Sequence, residues 1–425
     1  MNIKILQQKL ISFIGKNLIY FLFGFGLLAL LPYVATFKLD ASTNAGTIYR
    51  GVIFGLLAVL FLVGLLCYRK LPNNKILIGC LIYMVTQMVT IFVSPLIKEV
   101  EIPTLQSVIG VGMIFSNIIS VFIVCYIFKY QSTDHEKLNL ISYILLGISV
   151  ALCLYTYIFQ YKEIGMSLRG ECGIASPVTS IFTNREIYGF ILLISTISTV
   201  ILGLNTKRYW LYAFPAFFLV NAFLSKNRLA LTAIVIILIA LLVHHLIHNL
   251  QGNEKKWEIT LFIGFAVLLI LNLLIFVPAM SFGPFATLGA YIKTSLINDG
   301  ITIMKDRFAT ASNLMQSVNY PLGIMFGAGE RVQSFILSYS SSGNIIYVIN
   351  YAVGGIIKFA LYLVFIAFII YKVIKRKGEH LFFSLLFISL IILMGIFSEV
   401  LLLGINAYFL LLAPFILYDP FVKKN

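Results

Sequence analysis

The sequence predicts an all-α, polytopic membrane protein of about twelve transmembrane helices with both termini inside, and three observations carry that reading. Of its 425 residues, 60% are apolar and 11% charged, whereas a soluble chain carries roughly 25% charged residues. Apolar runs long enough for a hydrocarbon core ~30 Å thick recur from end to end. The lysines and arginines between those runs sort to alternate sides, as orientation in a membrane requires.

Taken in order, the runs place spans at 17–37, 48–67, 76–97, 105–128, 139–160, 187–205, 209–224, 229–247, 259–280, 345–371, 381–398 and 401–418, within a single integral membrane domain, 1–425. The first run follows Lys4, Lys9 and Lys16 and resembles a signal peptide. Its length and its lack of a small-residue cleavage site predict a retained helix instead. With the N-terminus inside, 18 of the 31 basic and 6 of the 16 acidic residues fall on the inner side. The net charge of +15 is then mostly a matter of topology, and no nucleic-acid partner is implied.

Cys67, Cys80, Cys125 and Cys153 fall inside spans and only Cys172 in an outer loop, so no disulfide can form outside. His135, His244, His245, His248 and His380 all fall on the predicted inner side, where neutral or interfacial roles outweigh catalysis. No metal-ligand spacing appears, and neither metal nor cofactor is expected.

Most connections are short, but two predicted outer ones, about 161–186 and 281–344, are long, and long loops in a compact protein are usually functional or disordered. The second carries apolar residues at helical spacing, Ile301, Met304, Phe308, Ala311, Leu314, Met315 and Val318, with Asp299 as N-cap and Pro321 closing the segment. An amphipathic helix at the outer interface follows, either part of the site or a lid over the bundle, with Arg307 beside its apolar stripe. Next come Gly323, Gly327 and Gly329, whose tight turns are expected to cradle an anion on backbone N–H groups, and then the pair Glu330-Arg331.

Arginine does not follow lysine. Arg50, Arg169, Arg185, Arg228, Arg307 and Arg331 fall outside and only Arg69, Arg208 and Arg376 inside. Orientation needs positive charge on the inner side alone, so the outer arginines need another reason. Their planar forks bind phosphate or carboxylate bidentately. One explanation pairs each with a loop acid, Arg169 with Glu171, Arg185 with Glu186 and Arg331 with Glu330. Arg228, in the turn Ser225-Lys226-Asn227-Arg228, has no such neighbour. The span before it, Tyr209 to Leu224, is short and contains Pro215, so the turn is expected to be recessed. Two recessed cations call for a polar cavity or a bound anion. Lys358, after Gly354-Gly355, is the one cation placed inside a span, lining the same cavity, snorkelling or meeting a carbonyl.

Three segments together resemble the polysaccharide polymerase and O-antigen ligase superfamily of membrane glycosyltransferases. They are Arg169-Gly170 with Ser180-Ile181-Phe182-Thr183-Asn184-Arg185-Glu186-Ile187-Tyr188-Gly189; the turn Ser225-Lys226-Asn227-Arg228 leading into Leu229-Ala230-Leu231-Thr232; and Arg307 through Gly327-Ala328-Gly329 to Gly343-Asn344-Ile345-Ile346-Tyr347 and Gly354-Gly355. The resemblance spans about residues 160–371. It departs at Gly343, where a ligase-type sequence carries histidine before the asparagine, which favours the polymerase branch.

The resemblance implies an enzyme of the bacterial cytoplasmic membrane, active on its outer side, that joins oligosaccharide repeat units carried on undecaprenyl pyrophosphate beside a flippase and a chain-length regulator. Arg228 and Arg307 would act in catalysis with Glu330 as first candidate base, ahead of Glu186 and Asp306. Arg169, Arg185, Lys226, Arg331, Asn344 and Lys358 would bind substrate. The alternatives are a ligase-type glycosyltransferase and a flippase or exporter of lipid-linked oligosaccharide. The latter fits less well, because no internal repeat is visible and charge is concentrated in loops.

Overall fold

The computed structural model describes residues 3–37, 44–69, 74–93, 104–130, 135–168, 178–251, 305, 309, 312–329, 346–376, 381–394 and 407–417. They are mostly helical, with no strand among the described residues. The helices are α1 (Ile3–Lys16), α2 (Leu18–Ala29), α3 (Asn44–Tyr68), α4 (Asn74–Val93), α5 (Thr104–Tyr130), α6 (His135–Phe159), α7 (Tyr161–Leu168), α8 (Arg185–Thr206), α9 (Ala213–Leu224), α10 (Arg228–Gln251), α11 (Pro321–Phe326), α12 (Ile346–Arg376), α13 (Leu381–Met394) and α14 (Ala407–Leu417). Helix is the form an apolar segment takes in lipid because it satisfies its own backbone.

Among the described residues six helices are long and apolar enough to cross a membrane: Ile48–Tyr68, Gly110–Ile127, Glu136–Phe159, Arg185–Thr206, Arg228–His245 and Tyr347–Lys375. A seventh is reached if Gln7–Lys16 and Leu18–Tyr33, bent by 73°, form one span. Leu77–Thr90, Tyr209–Leu224 and Phe383–Ile392 are shorter apolar helices. The expected span 259–280 lies outside the described residues. Two readings change. The run at 17–37 is preceded by a separate helix, α1, which bears Leu10 and Phe13 on its exposed side. The connection at 161–186 is not all loop, because α7 occupies its start, with only Gln160 between α6 and α7.

The chain divides into two compact units, Met1–Ile141 with Lys305–Asn425, and Ser142–Met304. In the first, α2 packs on α14 and α3, α3 on α5, and α12 on α4 and α13, while α11 seats against both α12 and α4. Lys137 Nζ donates to the Lys16 carbonyl at 2.6 Å, and Tyr68 stacks on Tyr130 with ring centroids 4.0 Å apart.

The second unit is built around α8, which is buried from Ile187 through Gly203 and packs against α9 and α10. Four hydroxyls, those of Ser195, Thr196, Ser198 and Thr199, lie within five residues of that buried stretch. Thr196 donates to the Leu192 carbonyl at 2.9 Å, Ser198 and Thr199 to the Ser195 carbonyl at 2.9 and 2.6 Å, and the Ser149 and Ser195 hydroxyls pair across helices. Small polar residues that return hydrogen bonds to their own helix let neighbouring backbones approach without leaving a polar group stranded.

Candidate functional site

The site in the second unit is built where two helices begin. Asn184 N-caps α8, its Oδ1 accepting from the Glu186 N–H at 2.8 Å. Asn227 does the same for α10, accepting from the Ala230 N–H at 3.0 Å. Its Nδ2 meanwhile donates to the Arg185 carbonyl at 3.0 Å and reaches the Glu186 carbonyl at 3.5 Å. One side chain therefore starts α10 and clasps the first turn of α8. A Cβ on Gly189 would run into that amide, so the clasp needs glycine there.

Arg185 and Arg228 each occupy the first helical position behind a capping asparagine. A helix N-terminus is the positive end of the backbone dipole, so a cation there opposes helix stability. Glu186 offsets this in α8, but α10 has no acid in its first turn.

Lys226 sharpens the point. α9 ends in a Schellman motif, with the Lys226 N–H on the Phe223 carbonyl at 3.0 Å and the Asn227 N–H on the Ala222 carbonyl at 3.1 Å. That motif needs a left-handed residue, usually glycine. Here it is Lys226 at φ 52°, and the residue is only 1% exposed. Left-handed backbone and burial of a charge both cost stability at this lysine. Ser225 and Asn227 are buried beside it, and Arg185, Glu186 and Arg228 are half-buried.

Beneath the turn lies a polar layer. The Tyr188 hydroxyl donates to Asn221 Oδ1 at 3.1 Å and accepts from the Thr156 hydroxyl at 3.2 Å, while Asn221 Nδ2 donates to the Tyr157 hydroxyl at 3.3 Å and the Phe217 carbonyl at 3.0 Å. The chain entering α8 is anchored by Gln160. Its Oε1 accepts from the Ser180 N–H at 2.9 Å and its Nε2 donates to the Ser180 carbonyl at 3.0 Å, with Ser180 at φ 57°. Ser167 on α7 donates to the Leu224 carbonyl at 3.1 Å. Such a network holds the turn rigidly.

Of the residues singled out in the sequence, Arg185, Lys226 and Arg228 come together here with Glu186. Lys358 lies in the first unit, 7% exposed, with its ammonium 5.9 Å from the Tyr83 ring centroid. Arg169, Asp306, Arg307, Glu330, Arg331 and Asn344 lie outside the described residues.

Two expectations are corrected. The span holding Lys358 is not one continuous helix, because α12 is broken at Gly355 (φ 62°, ψ −164°). The glycine segment before it does not offer its N–H groups to an anion. Gly327 donates to the Gly323 carbonyl at 2.7 Å, Ala328 to Ala352 at 2.8 Å and Gly329 to Val353 at 2.6 Å. Pro321, read as the close of the preceding helix, also opens α11 at its first turn.

The sequence reading missed the roles of Asn227, Gln160 and Tyr188. For Asn227 a signal existed, since Asn184-Arg185 and Asn227-Arg228 repeat one asparagine-arginine start before an apolar run. Set beside known proteins, the chain matches no family model and no curated protein.

Proposed function

We propose that this chain is a membrane glycosyltransferase of about a dozen transmembrane helices, N- and C-termini inside, that polymerises bacterial surface polysaccharide. Its substrates are oligosaccharide repeat units on undecaprenyl pyrophosphate, joined at the outer face of the cytoplasmic membrane. The observation that carries this reading is the pair of clasped helix starts bearing Arg185 and Arg228, with the buried, strained Lys226 between α9 and α10.

In the proposed reaction an acceptor sugar hydroxyl attacks the anomeric carbon of the donor glycan. The bond from that carbon to the pyrophosphate oxygen breaks, and undecaprenyl pyrophosphate leaves with the electron pair. Two arginine forks, a lysine and a helix N-terminus are suited to the negative charge growing on that leaving group. The hydroxyl proton passes to a carboxylate. Of the three named from the sequence, Glu186 is the one beside the arginines among the described residues.

The test is a gene deletion complemented by variants, read as surface polysaccharide on a gel. Arg228→Ala should lower polymerisation by roughly 10²–10³-fold, the loss typical of one preorganised transition-state donor. Single repeat units should still be displayed, and Arg69→Ala should retain long chains. Equal effects of the two would defeat the site. Long chains trapped on lipid carrier would point to a ligase, and repeat units held on the inner leaflet to a flippase.

A further inference from the structure

The broken helix of the first unit carries an inference of its own. In a continuous α12 the Ala352 and Val353 carbonyls would accept from the Ile356 and Ile357 N–H groups, four residues on. With the ladder interrupted at Gly355, they accept from Ala328 and Gly329. The segment 327–329, reached through α11, is thus a strap that caps the first half of α12 in trans. Gly327 (φ 72°, ψ −165°) and Gly355 (φ 62°, ψ −164°) share a conformation open almost only to glycine. They also meet backbone to backbone. A Cβ on Gly327 would stand 2.5 Å from the Gly354 and Gly355 nitrogens, and one on Gly355 would strike the Met325 carbonyl.

We infer that strap and helix form a two-position switch. With the strap docked, α12 is broken. With it withdrawn, two carbonyls in an apolar span would be orphaned, and the one nearby remedy is to rewind through Gly355 so that Ile356 and Ile357 donate to them. Gly355 is the residue able to occupy both states. Lys358, on the first turn beyond the break, reports the position. Its aliphatic stem lies where a Cβ on Gly354 would go, and its ammonium faces Tyr83 on α4. Gly329 in turn touches Thr90 on α4, so the strap and the lysine are held by the same helix. Rewinding turns Lys358 away from Tyr83, which couples the position of the strap to a buried cation in α12.

The switch follows from backbone geometry and is tested without any activity, so it stands or falls apart from the polymerase reading. The measurement is amide hydrogen exchange on the full-length protein in lipid nanodiscs, comparing wild type with Gly355→Ala and Gly327→Ala. Either substitution should expel the strap. Exchange should then speed up by roughly tenfold at Ala328 and Gly329 and slow by a similar factor at Ile356 and Ile357. That reciprocal change is the signature. Faster exchange in both segments would mean simple local unfolding, and no change in either would mean no strain at the glycines. Each overturns the switch. Gly24→Ala, at a position where a Cβ meets nothing within 4 Å, is the control and should leave both segments as they are.

Discussion

The two units interrupt their helices in opposite ways. In the second, α9 stops and α10 starts within three residues, and side chains do the capping. Asn227 ends one hydrogen-bond ladder, begins the next and reaches across to α8. In the first, α12 breaks mid-course and the backbone of a segment more than twenty residues earlier in the chain supplies the missing donors. A side-chain cap ties the turn to both helix starts at once. A backbone strap leaves the helix with an alternative, its own N–H groups. The first arrangement suits a rigid anion site and the second suits motion.

The largest effect should come from breaking the rigid side of that contrast. Asn227→Ala removes an N-cap worth about 1 kcal/mol and the hydrogen bond to the first turn of α8 worth about 1 kcal/mol more, so a loss near ~2 kcal/mol is expected. Thermal unfolding in detergent measures it. A loss below ~1 kcal/mol would show that the two helix starts are not held together by this side chain. In the other unit Lys358→Met should behave differently. The cation–π contact it removes and the burial of charge it relieves offset one another, and the net change should stay within about 1 kcal/mol. The break should persist, with exchange at Ala328 and Gly329 unaltered, because backbone geometry and not the lysine holds the strap. A collapse of strap protection in Lys358→Met would reverse the order of cause.

The same contrast explains what was legible in the sequence. Long apolar runs between charge clusters located helices such as α3, α5 and α6, because an apolar segment in lipid has few alternatives to helix. The turn at Lys226 was singled out from the short, proline-containing span before it, Tyr209 to Leu224, and its lysine is buried. The break in α12 was not. Gly354-Gly355 reads as a tolerable pair inside a membrane helix, and only the partner strap, distant in sequence, makes it a discontinuity. The glycines of the strap were noticed for the right property and assigned the wrong use. Their backbone freedom serves a close approach between main chains, and the N–H groups freed by it are spent on α12.

The smallest expected effect separates strain from function within the second unit. Lys207 and Lys226 both sit left-handed at helix C-termini, at φ 54° and 52°. Lys207 is exposed while Lys226 is buried beside Asn227 and Arg228. Glycine at either position relieves a left-handed strain of roughly 1 kcal/mol. Lys207→Gly should therefore raise stability by about that amount and leave polymer length unchanged on a gel. Lys226→Gly sheds the same strain and should still fold, yet it should shorten or abolish the polymer. If both variants gave full-length polymer, Lys226 would be a packing residue that happens to carry a charge, and the anion site would rest on Arg185 and Arg228 alone.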